Sequence, residues 1–258
     1  MFLRHSVHRA RDVVRKLASS QAKRAVPNAF SARFMQPHMR LLSTSAPKQS
    51  DDSEWKNPVV KAYSDKERFF DWDKVDLFAT DASLLGKMVM FIQLHAAVPH
   101  SNVPFDIPDF LDGAKHAIDT VLRTVYTPAF FDGALNPAVE NEEFALLRSV
   151  MGSKCVEVLL RGFSDLAKAG CTKFDLTQLE IKDVGLSNVL LKDEADEDNT
   201  KSILLQVAFT MVEHVTTTLV EDGKETQKSN VREADCLWVF ESKLVNGEPL
   251  GWTIVQIA

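Results

Sequence analysis

Residues 105–125 read FDIPDFLDGAKHAIDTVLRTV, and the fold turns on them. Phe110, Ala114, Ile118, Val121, Leu122 and Val125 repeat every 3.6 residues, as in a helix that buries one stripe. Asp106 can accept from first-turn N–H groups, and Pro108 has a φ suited to that turn. Asp109 puts negative charge at the positive end of the helix dipole. Gly113-Ala114 breaks the pattern in the middle. A helical glycine costs about 1 kcal/mol relative to alanine. It is either a tolerated weak spot or a point of close approach by another element, and the second reading is preferred.

Downstream, Thr127-Pro128 starts a short helix through Phe131, closed by Gly133, and Asn136-Pro137 repeats the device. A longer helical region covers about Glu140 to Ala169, with Gly152 as a candidate break and Gly170 as its stop. The period then changes. Ile203, Leu205, Val207, Phe209 and Met211 alternate with mostly polar or small residues, as in a half-buried strand. Ala234, Cys236, Trp238 and Phe240 form a second strand, and Leu250, Trp252 and Ile254 begin a last one. A less regular strand runs from Leu179 to Leu191. Turn-like links separate them at Asp193–Thr200, Glu221–Lys224 and Asn246-Gly247, the last a strong hairpin signal. Residues 104–258 therefore read as one α+β domain, in which helices lie on a curved, four-stranded antiparallel sheet.

Upstream, the charge changes sign. Residues 1–50 hold ten basic side chains and one acid, a net +9, whereas the remaining 208 residues carry −15. The basic tail is rich in Arg, Ser and Ala and has no unbroken apolar core, which marks residues 1–42 as a disordered mitochondrial transit peptide. Arg40, Leu42 and Ser43 frame a matrix-protease processing site, with cleavage expected before Ser43. The acidic mature chain disfavours sequence-independent phosphate binding, so no nucleic-acid partner is expected.

Residues 43–103 read as a linker that docks locally through Trp55, Phe69, Phe70 and Trp72. It contains one strongly apolar stretch, residues 84–98. That stretch is too short for a membrane span of about 20 apolar residues. Two readings stay open: a helix packed on the following domain, or a peripheral membrane or partner contact through Leu85, Met88, Phe91 and Ile92. His95 and His100 are expected to be solvated or locally bonded, not metal ligands. Cys155, Cys171 and Cys236 have no metal-ligand spacing and read as small buried hydrophobes.

His116, Glu213, His214 and Asp235 are the candidates for acid–base chemistry. Strand alternation puts Glu213 inward and His214 outward, so they do not pair, and no phosphate loop or nucleophile elbow is present. A non-enzymatic protein without cofactor or metal is expected, with Glu213 as a buried carboxylate that has a partner.

The order Phe105-Asp106, Phe110, Gly113-Ala114-Lys115, Ala117, with a closing Gly251-Trp252-Thr253-Ile254-Val255-Gln256-Ile257, resembles one known domain. It is the C-terminal domain of the import-motor anchor of the mitochondrial inner-membrane translocase. The resemblance implies a cone-like α+β fold and a matrix-side protein that binds proteins or the bilayer. Three branches compete. The motor anchor carries a long charged segment before the domain, whereas here only about 60 residues separate Ser43 from Phe105. Ribosome-associated members should be basic. The branch of matrix proteins that interact with the m-AAA protease fits best, and it implies an adaptor or chaperone for newly imported inner-membrane proteins. Its partners would be the inner-membrane protease, translocase components and imported precursors. A small-molecule enzyme of the same outline is the remaining alternative.

Overall fold

The computed structural model describes residues 57–97, 106–136, 141–193, 201–221, 223–245, 248–249 and 251–258. The processing residues Arg40, Leu42 and Ser43, together with Trp55, His100 and Phe105, lie outside them. Seven helices precede an antiparallel sheet among the described residues: α1 (Pro58–Ser64), α2 (Lys66–Lys74), α3 (Leu84–Ala97), α4 (Ile107–Val125), α5 (Pro128–Leu135), α6 (Glu142–Val150) and α7 (Ser153–Lys168). The strands are β1 (Cys171–Asp193), β2 (Lys201–Glu221), β3 (Lys224–Val245), β4 (Glu248–Pro249) and β5 (Thr253–Ile257).

The helix starts follow their sequence signals. Asp106 caps α4 by accepting from Asp109 N, and Pro108 sits in its first turn. Thr127 caps α5 and Asn141 caps α6 in the same way. α5 does not stop at Gly133 but runs on to Leu135. Gly133 lies inside it, where a Cβ would meet the Phe144 ring at 2.6 Å, so the close packing of α5 on α6 requires glycine there. Gly152 does split the long helical region, and Gly170, at φ +93°, ends α7.

Each long strand pairs antiparallel with the next, β1 with β2 and β2 with β3. β4 and β5 both pair with β3, at Val245↔Glu248 and at Phe240↔Ile254. They are two pieces of one fourth strand, interrupted near Gly251 at φ +134°. The sheet is thus the expected meander, but its strands are much longer than the alternation suggested. β1 begins at Cys171, not Leu179, and carries four register shifts that scramble its period.

The larger correction concerns residues 43–103. Trp55–Ile257 forms one compact unit, so the boundary does not fall at 104. Phe69, Trp72, Phe78 and Phe91 are all buried and pack ring to ring, with Phe91 5.4 Å from Trp72 and 5.5 Å from Phe69. Phe70, also expected to dock, is exposed. The segment after α2 then joins the sheet. Leu186 N donates to Leu77 O and Ala79 N donates to Leu186 O, a parallel bridge on the outer edge of β1. Gly185 makes this approach feasible, since a Cβ there would lie 2.8 Å from Ala79 N.

α4 meets the sheet through Phe110, whose ring lies 5.6 Å from Phe240 and 4.6 Å from Trp252. The expected close approach at Gly113 is absent. Gly113 is exposed, and a Cβ there would meet nothing within 4 Å. The apolar stripe reaches Phe110, Ala114 and Ile118, whereas Gly113 sits beside it on the solvent face.

Candidate functional site

α3 is strongly apolar, interrupted only by Lys87, Gln93 and His95, yet only part of its apolar surface faces the core. Met90, Phe91, Leu94, His95 and Ala97 are buried. Leu84, Leu85, Met88 and Val89 are exposed, Leu85 at 65% and Met88 at 47%. Helices with this distribution usually have both sides covered. The neighbouring α1 adds exposed Val59, Val60 and Tyr63. Single exposed apolar residues are unremarkable, but a run of them along one helix marks an interaction surface.

The structure separates the four predicted contact residues. Leu85 and Met88 lie on the exposed side, and Ile92 is half-buried against the core. Phe91 is 3% exposed and belongs to the aromatic cluster, so it is a packing residue and no contact. The error has a simple cause. In a helix whose apolar residues spread over most of its circumference, the sequence does not say which of them face in. His95 is fixed on the buried side. Its Nδ1 donates to the Phe91 carbonyl at 2.9 Å, and its Nε2 lies 3.3 Å from Asp65 Oδ2. Lys87 bonds Asp73, which secures the helix near its start.

A second cluster lies inside the domain. Glu213 is 3% exposed. Tyr126 donates to its Oε2 at 2.8 Å, and Arg232, directly across the β2–β3 ladder, approaches Oε1 at 3.4 Å. Burial pushes the Tyr126 hydroxyl far above the usual phenol range, and the charge and hydrogen bond of Glu213 add to this. Burial also pushes the nearby Cys236 thiol up to about 11, with Glu213 and Asp235 adding and Arg232 opposing. A thiol so raised is a poor nucleophile. Both oxygens of Glu213 have partners, the arrangement that a buried carboxylate needs for stability. Sequence alternation placed Glu213 correctly but found neither Tyr126, which follows α4 as its C-cap, nor Arg232. The other acid–base candidates are scattered. His116 and Asp235 are exposed, Asp235 accepting from Thr210, and His214 is half-buried.

The residues of the family-like motif take mainly structural places. Phe110 and Trp252 touch, and Ile254 is buried with its carbonyl accepting from Gly152 N. Asp106 is the α4 cap, Ala114 is buried and Gly113 faces solvent. Lys115 is exposed in a groove of about 310 Å³ between the turn at Asp76, the first half of α4 and the β1 irregularity at Asp183. Leu77, Leu111 and Val184 supply its apolar walls, and Asp76, Asp112 and Asp183 its negative charge. All four charged groups are exposed, so each would hold a ligand weakly.

Among the described residues, no helix is long and apolar enough to cross a membrane, and no group of His, Cys, Asp and Glu is placed to hold a metal. No protein-family model matches the chain, and no curated protein matches it.

Proposed function

We propose that this chain is a non-enzymatic matrix protein on the mitochondrial inner membrane, an adaptor or chaperone that acts with the m-AAA protease on newly imported inner-membrane proteins. The observation that carries the reading is the exposed apolar side of α3, at Leu84, Leu85, Met88 and Val89. Such a surface supports a peripheral contact with a bilayer or an apolar partner, through buried area and not through charge. The basic tail supports delivery to mitochondria, and the −15 charge of residues 51–258 disfavours a ribosomal role. The paired oxygens of Glu213 favour a structural carboxylate over a catalytic one. The same reading gives the domain a cone-like outline with a curved sheet, in keeping with Phe110 packed on Phe240 and Trp252.

Carbonate extraction of mitochondria tests the peripheral contact. The protein is expected in the supernatant after carbonate but with the membranes at neutral pH. Retention in the carbonate pellet, or solubility at neutral pH, counts against the reading.

A further inference from the structure

The fourth strand covers only part of β3. β4 and β5 pair with residues between Trp238 and Val245, so Lys224–Leu237 has β2 on one side and, among the described residues, no strand on the other. Gln227, Ser229, Asn230, Val231, Glu233 and Asp235 are exposed along it, Val231 at 66%. A free edge of this length offers a row of unpaired backbone donors and acceptors.

We propose that this edge is the interface with a second copy of the chain, the two β3 strands pairing antiparallel about a two-fold axis at Val231. Directly opposed residues in an antiparallel pair point to the same face, so such an axis sets even-numbered residues against even and odd against odd. With the axis at Val231, that residue faces its own counterpart and forms an apolar centre. Asn230 then faces Arg232, Ser229 faces Glu233 and Gln227 faces Asp235, each pairing a donor with an acceptor. Lys228 faces Ala234, and no like charges are opposed. Neighbouring registers lack this property. An axis at Asn230 sets Lys228 against Arg232 and Glu225 against Asp235. An axis at Arg232 or Glu233 sets that residue against itself, and one at Ser229 sets Glu225 against Glu233. Like charges directly opposed destabilise a strand pair. The charge pattern therefore favours this register over its four nearest neighbours. Side chains on the edge are already anchored by β2: the Ser229 hydroxyl lies 2.8 Å from that of Thr216, and Asp235 accepts from Thr210 at 3.1 Å.

This edge is independent of the α3 surface, and its test does not depend on the function proposed above. The full chain is examined by sedimentation equilibrium over a range of concentrations. A monomer–dimer equilibrium is expected, and Val231→Lys, which opposes two ammonium groups at the axis, weakens it by about tenfold or more, while the melting temperatures of the two chains agree at concentrations low enough for both to be monomeric. A Val231→Cys chain oxidised with diamide forms a disulfide-linked dimer. Ser229→Cys does not, because its two thiols are about 13 Å apart along the strands, beyond disulfide reach. The unsubstituted chain controls for Cys155, Cys171 and Cys236. A chain that stays monomeric throughout, a dimer indifferent to Val231→Lys, or equal cross-linking by both cysteine variants overturns the proposal.

Discussion

The hydroxyl of Tyr126 donates to Glu213 Oε2 at 2.8 Å, tying the residue that ends α4 to β2 in the interior of the sheet. Tyr126→Phe removes the donor and leaves that buried oxygen unpaired. A loss of about 1–3 kcal/mol is expected in urea unfolding.

The same bond has a pH signature. Burial, with Glu213 adding, raises the Tyr126 pKa in the folded chain above the ordinary value of about 10. A raised folded value means that the unfolded chain loses this proton first. The contribution of Tyr126 is therefore complete below pH 10 and declines as pH rises above it. Unfolding free energies of the unsubstituted chain and Tyr126→Phe should converge above pH 10 and run parallel below it.

Two glycines should respond with opposite signs. Gly113→Ala fills open space on the exposed side of α4, so it should stabilise by about 0.5–1 kcal/mol through helix propensity and a less flexible unfolded chain. Gly185→Ala forces a Cβ to 2.8 Å from Ala79 N and should destabilise by about 1–3 kcal/mol. Thermal melts of the two variants check both signs.

The two sides of α3 should separate stability from association. Phe91→Ala empties an aromatic site and should cost about 3–5 kcal/mol. Leu85→Asp and Met88→Asp alter exposed positions, so their melting temperatures should stay near that of the unsubstituted chain. Their membrane association at neutral pH should fall.

The legible parts of the fold were those where one physical signal acts alone. The stripe from Phe110 to Val125 has one buried side, and Asp106, Thr127 and the φ-permissive Gly170 mark their ends by chemistry that needs no tertiary context. Alternation in Ile203–Met211 placed Glu213 inward because β2 stays in register with β3 without a break. β1 was read too short because its irregularities reset the period. α1 and α2, of seven and nine residues, are too short for a periodic pattern to emerge, so the core aromatics Phe69 and Trp72 of α2 looked like part of a linker. Close approach was assigned to Gly113, but the glycines that require it are Gly133, against Phe144, and Gly185, whose neighbour, Ala79, is more than a hundred positions earlier in the chain. Tyr126 escaped notice for the same reason. Its partner is 87 residues away, and nothing local points to it.

Affinity purification of the tagged chain from mitochondria, beside the Leu85→Asp/Met88→Asp variant, tests the functional reading most directly. Co-recovery of the m-AAA protease with the unsubstituted chain, and its loss with the stably folded variant, is the expected result. Recovery of ribosomal large-subunit proteins in place of the protease, or equal recovery of the protease by the variant, would contradict it.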